Sequence, residues 1–168
     1  MAKILFLAHR APFPPNKGDK IRAYHILEHL AARHEVWLGA AADDPADMAF
    51  LTEAKARYRD AFFGLLSKAG MAANIAAGAL RGLPLSVARF RHADLAAWID
   101  HVLTQVRPDF VYVYSSALAQ YVTGRLPPGS RLIVDLGKAE AGKWRAYALQ
   151  GKIRLRSFYP AEFGRLVR

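Results

Sequence analysis

The sequence has no cysteine. That excludes a disulfide framework and a thiolate metal site, and it fits a reducing compartment. No uncharged apolar run approaches the ~20 residues that a membrane-spanning helix needs. The first residues lack a basic leader ahead of a long apolar region, so no signal peptide is expected. Walker and G-x-G-x-x-G phosphate loops are absent. So are a G-x-S-x-G elbow with a Ser-His-Asp order and an RNP-like aromatic motif. These gaps argue against P-loop, dinucleotide-binding, serine-hydrolase and nucleic-acid-binding classes. Internal repeats and low-complexity linkers are also missing.

What is present suits one globular domain: 168 residues, 53% of them hydrophobic. The net charge of +10 is unevenly spread. Basic and acidic residues cancel over 23–137. The excess sits at Lys3, in 10–22, and in 138–168, where only Glu140 and Glu162 oppose a run of Lys and Arg. A clustered excess points to an anionic partner: a nucleoside diphosphate, a lipid pyrophosphate, an anionic bilayer or nucleic acid, the last without a supporting motif.

Buried strands alternate with helices. Lys3–Ala8 is an apolar strand, followed by a Gly/Pro-rich loop, a helix over 20–33 and a second strand over 34–40. The helix buries Ala23, Tyr24, Ile26, Leu27, Leu30 and Ala31 and exposes Arg22, His25, His29 and Arg33. Asp44-Pro45 starts a helix that reaches about Arg57. Residues 61–66 form a third strand, and the uncharged stretch 69–80 a helix ended by Gly82-Leu-Pro84. Residues 85–90 read as extended. A helix from Asp94 to about Val106 is stopped by Pro108. Strands over 109–114 and 132–136, both expected to be buried, flank a short helix over 117–124. The pattern predicts an α/β fold: a Rossmann-like parallel sheet flanked by helices, with strand 1 central and the 9–19 loop at its carboxyl edge.

That loop is the leading candidate site. It carries Arg10, Lys17, Lys20 and Arg22 against Asp19, and Gly18 lets a phosphate approach the backbone at a helix amino terminus. The alternative is a Pro-stiffened connection with Asp19 as helix cap. Ser115 and Ser116 follow a buried strand, and Asp135 closes the last one, with Lys138, Glu140 and Lys143 beyond it. His25 and His29 have the spacing of a metal pair but no carboxylate partner, so a solvated helix face is expected and no metal is assigned. Helix 69–80 either packs on the sheet through its small residues or docks on a bilayer with Lys68 and Arg81 at the headgroups. The tail 152–168 mixes basic and apolar residues, as a helix packing on a neighbour or associating with a membrane would.

Residues 11–25 (Ala-Pro-Phe-Pro-Pro-Asn-Lys-Gly-Asp-Lys-Ile-Arg-Ala-Tyr-His), 29–36, Asp43-Asp-Pro-Ala-Asp47 and 143–148 (Lys-Trp-Arg-Ala-Tyr-Ala) resemble one group of bacterial sugar transferases. These are the retaining, GT-B-fold glycosyltransferases of family four, in the subgroup associated with exopolysaccharide loci. The resemblance implies an amino-terminal, acceptor-side domain over 1–168. The donor-binding domain, with its paired glutamates, is absent from this chain. The implied reaction moves a sugar from a nucleotide-sugar donor to a glycan or lipid-linked acceptor, without a cofactor or, usually, a metal. It would take place in the cytoplasm, with the enzyme peripheral to the inner face of the plasma membrane. Lys17, Gly18, Asp19, Lys20 and Arg22 would contact phosphate and substrate, and Ser115, Ser116 and Asp135 would form the acceptor rim. Many members place a histidine where this chain has Tyr114 and Ser115, and no catalytic residue is named. The isolated domain is expected to be inactive. The alternatives are a non-catalytic basic α/β module that binds a nucleotide or an anionic membrane surface, and a flavodoxin-like mononucleotide protein.

Overall fold

A computed structural model of the chain describes residues 1–136. The expectations placed on Lys138, Glu140, Lys143, 143–148 and the tail lie outside the described residues. Five strands form one parallel sheet: β1 (Lys3–Ala8), β2 (Glu35–Ala42), β3 (Asp60–Leu65), β4 (Phe110–Tyr114) and β5 (Arg131–Asp135). Their order is β3-β2-β1-β4-β5, with every neighbouring pair parallel. The fold is the expected Rossmann-like α/β arrangement, and β1 is central. Parallel neighbours need crossovers, and the chain supplies them with α1 (Gly18–Ala31), α2 (Leu51–Arg57), α3 (Lys68–Leu80), α4 (Leu85–Ala88) and α5 (Ala93–His101), and between β4 and β5 with a 3-10 turn over Ser116–Tyr121.

Strand alternation sends β1 side chains to two cores. Ile4, Phe6 and Ala8 meet Ala23 and Leu27 of α1 and Ala54 of α2 on one face. Leu5 and Leu7 meet Leu95 and Ile99 of α5, and Leu118, on the other. The α1 periodicity holds: Ala23 and Leu27 are buried, while Arg22, His25 and His29 are exposed. On β2, Gly39 is small because α5 lies over it; a Cβ there would come within 2.8 Å of Leu7 Cδ2 and 2.9 Å of Trp98 Cζ3.

Three expectations are corrected. Residues 85–88 are one helical turn rather than extended. Pro84 introduces it, and its carbonyl accepts from Val87 and Ala88. Asp44 does cap the next segment, accepting from Ala46 N at 3.0 Å, but that segment is a tight 3-10 turn over Pro45–Phe50 before α2 begins. Strand β5 is an edge strand, not a buried one: among the described residues Leu132, Ile133 and Leu136 are exposed.

One ion pair locks the first crossover. Lys20, in the first turn of α1, sends its Nζ 2.6 Å from Asp47 Oδ1 and 3.4 Å from the Phe13 carbonyl. Both residues are only 2% exposed. Breaking a buried pair strands the remaining charge. Asp47→Ala is expected to lower stability by about 3–5 kcal/mol, and Lys20→Met/Asp47→Leu to recover most of that loss, in urea denaturation followed by circular dichroism. Equal losses in the single and double variants would show that the pair acts through packing alone.

Candidate functional site

The chain leaves β1 towards β2 on one side, while β4 sits on the other. The loops after β1 and β4 therefore diverge, and the cleft between them is the switch point where open α/β sheets bind ligands. Ala8 is level with Tyr114 across the β1–β4 pair, and Tyr114 with Asp135 across β4–β5. This register brings His9, Ser115 and Asp135 to one carboxyl edge.

The structure gathers Arg22, Asp135, Asp19 and Ser115 around this cleft. Arg22 Nη2 donates to both Asp135 oxygens, at 2.9 and 3.2 Å, and its guanidinium stands 5.8 Å from the centre of the Tyr114 ring. Tyr112 also donates to Asp135, at 2.9 Å. Burial and the hydrogen bond to that carboxylate push the Tyr112 phenol up to about 12. Asp19 does not cap α1; the capping position is Lys17, with no side-chain hydrogen bond. Asp19 accepts from Arg10 Nη1 at 2.8 Å instead. Partial burial pushes the Asp19 carboxyl up, but the hydrogen bond and charge of Arg10 outweigh this and hold it below the usual range. Arg10 also donates through Nε to Asp43 at 3.1 Å.

The expected cationic loop is thus largely neutralised. Arg10 lies between Asp19 and Asp43, Arg22 binds Asp135, and Lys20 is buried against Asp47 with its amine withdrawn from the cleft. Lys17 is exposed, and Gly18 opens α1 with no neighbour within 4 Å of a Cβ position. The two motifs singled out in sequence are therefore clamped together: Asp43, Asp44 and Asp47 hold Arg10, the turn and Lys20.

Ser115 has φ 88°, in a region that side chains other than glycine rarely adopt. Its amide donates to the Asp135 carbonyl at 2.9 Å, which aligns the β4 and β5 ends. Such backbone strain costs on the order of 1–3 kcal/mol and clusters at working sites. Ser116 begins a 3-10 turn over Ser116–Tyr121 and is half-buried. His25 and His29 stay on the exposed face of α1, and no metal-binding cluster occurs among the described residues.

Sequence reasoning passed over His9. Its ring stacks on Tyr114 with centroids 5.8 Å apart and meets the edge of Phe90 at 5.9 Å; its Nε2 is 3.5 Å from Asp19. Burial lowers its pKa from the ordinary 6.5 despite the nearby Asp19 carboxylate. The available signal was its place directly after the first buried strand. Comparisons with family models, curated proteins and solved structures return no match for this chain.

The lowered His9 value fixes a sign. The unfolded chain binds the proton more readily, so His9 contributes stability that is full above the ordinary 6.5 and lost as pH falls below it. His9→Gln is expected to flatten the fall in denaturation midpoint between pH 7 and 5. An unchanged slope would place the lost protonation linkage elsewhere.

Proposed function

We propose that this chain is the acceptor-side half of a retaining sugar transferase, and that the cleft between β1 and β4 holds the acceptor glycan. The observation that carries this reading is the matching of charge in the cleft. Each arginine there faces a carboxylate, beside the stacked rings of His9 and Tyr114. A carboxylate accepts from sugar hydroxyls, a guanidinium donates to them, and a ring face covers the C–H face of a pyranose. A phosphate would favour unopposed cations instead. The Arg22–Asp135 pair is half-exposed on the arginine side, and pairs of this kind are worth only about 0–1 kcal/mol, so hydroxyls can displace it at little cost.

The resemblance to family-four transferases supplies the rest of the reading. A donor-binding domain across the cleft holds the nucleotide sugar, and this half orients the acceptor hydroxyl towards the anomeric carbon. Orientation of that kind is a large source of rate. The enzyme would work in the cytoplasm, at the inner face of the plasma membrane. The rival basic module needs an excess of free cations in the cleft, and the pairing of Arg10, Lys20 and Arg22 disfavours it.

The test is an amide NMR titration of the chain with a panel of soluble mono- and disaccharides and with nucleoside diphosphates. Saccharides are expected to shift His9, Arg22, Ser115, Ser116 and Asp135, with nucleoside diphosphates weaker. Asp135→Asn is expected to weaken saccharide binding about ten-fold, the loss of a charged hydrogen-bond partner. Tight nucleotide binding at Lys17 and Gly18 without any saccharide response would sink the reading. The chain alone is expected to transfer no sugar; turnover by the pure protein would overturn the two-domain account.

A further inference from the structure

Among the described residues, most of helix α3 has no covering. Its sequence, Lys-Ala-Gly-Met-Ala-Ala-Asn-Ile-Ala-Ala-Gly-Ala-Leu, holds no charge after Lys68. It docks on the domain through a narrow stripe. Met71 belongs to the α5-side core, Asn74 donates to the Arg91 carbonyl at 2.7 Å, and Gly78 lies so close to α4 that a Cβ would sit 2.4 Å from Ala88 Cβ. The rest of its circumference faces outwards: Ala72, Ala73, Ala76, Ala77 and Ala79 are exposed, Ile75 is 36% exposed and Leu80 91%. The helix packs through small residues, as one reading expects, and among the described residues it also presents a broad apolar face.

Charge around that face distinguishes it from the cleft. No carboxylate occurs between Asp60 and Asp94, while Lys68, Arg81, Arg89 and Arg91 all do. Among the described residues none of these four cations is paired with a carboxylate. Arg89 lies with its guanidinium 4.9 Å from the centre of the Phe90 ring and its Nη2 3.8 Å from Met71 Sδ, and its buried Nε has no hydrogen-bond partner among the described residues. Lys68 and Arg81 bracket the helix, ~20 Å apart at 1.5 Å per residue. An uncharged, outward helix with cations at both ends and no nearby acid is complementary to an anionic bilayer surface, which takes apolar side chains into the headgroup boundary and phosphates onto the flanking cations.

We propose that α3 is a membrane-surface helix. It lies flat on a bilayer containing anionic lipid, with Ile75, Ala76 and Leu80 below the headgroups and Lys68 and Arg81 on lipid phosphates. This proposal rests on α3 alone and not on the transferase reading.

The absence of native cysteine allows the test to be site-specific. Ala76→Cys and, as a control, Lys55→Cys on α2 are each labelled with an environment-sensitive fluorophore in the full chain. The probes are vesicles of phosphatidylcholine with or without phosphatidylglycerol. The label at 76 is expected to shift blue and brighten with the anionic vesicles only, while the label at 55 is unchanged. Ile75→Glu/Leu80→Glu changes exposed positions only and is expected to reduce vesicle binding about ten-fold, with the circular dichroism spectrum retained. Vesicle binding that leaves the label at 76 in water would assign association to other basic residues and overturn the proposal. A blue shift at 76 that grows with protein concentration in the absence of vesicles would assign the face to a second copy and overturn it equally, as would failure to bind anionic vesicles.

Discussion

Strand β1 is the constraint on which the other elements depend. Leu5, Phe6, Leu7 and Ala8 are wholly buried, with alternate side chains entering opposite cores. Each large side chain among them contributes about 1.5–3 kcal/mol by leaving water. Only a central strand covered on both faces satisfies such a run. With β2 on one flank and β4 on the other, the loops after β1 and β4 must part, and the cleft follows from topology. The position of the candidate site is therefore a consequence of apolar burial several residues away from it.

Much of this was legible in the sequence, for a physical reason. Strands buried on both faces read as unbroken apolar runs, and Lys3–Ala8 and Phe110–Tyr114 were recognisable from their composition alone. Helix α1 was legible because its inward and outward residues separate at helical spacing. The turn over 85–88 was not, because four residues hold too few positions to show a period. Its stability comes from the Pro84 carbonyl and from the contact of Ala88 with Gly78. Strand β5 misled through composition: Leu132, Ile133 and Val134 look like a core strand, yet the strand sits at the sheet edge.

The candidate site was legible in place more than in chemistry. A Gly/Pro-rich loop after the first strand announces a ligand edge, and Ser115 and Asp135 stand where strand ends predict. The charges could not be read the same way, because their partners are remote in sequence. Asp43 and Asp47 reach back to Arg10 and Lys20, and Asp135 is 113 residues from Arg22. Local counting saw a cationic loop; folding turned it into paired groups. The strain at Ser115 had no sequence signal, since serine is not a residue that announces a positive φ.

The pairing also changes what the remaining positive charge can mean. Within the described residues the cleft arginines are committed to carboxylates, and Lys20 is withdrawn into the interior. Among the described residues Lys17 and the four cations around α3 have no carboxylate partner, and those four lie along a segment that holds no acid. A cleft balanced in charge recognises shape and hydroxyl pattern, whereas an unbalanced rim recognises charge with little regard to shape. Phe90 links the two regions: its ring touches His9 in the cleft, and it lies beneath the Arg89 guanidinium beside α3. A bilayer held at α3 would thus lie close to the cleft.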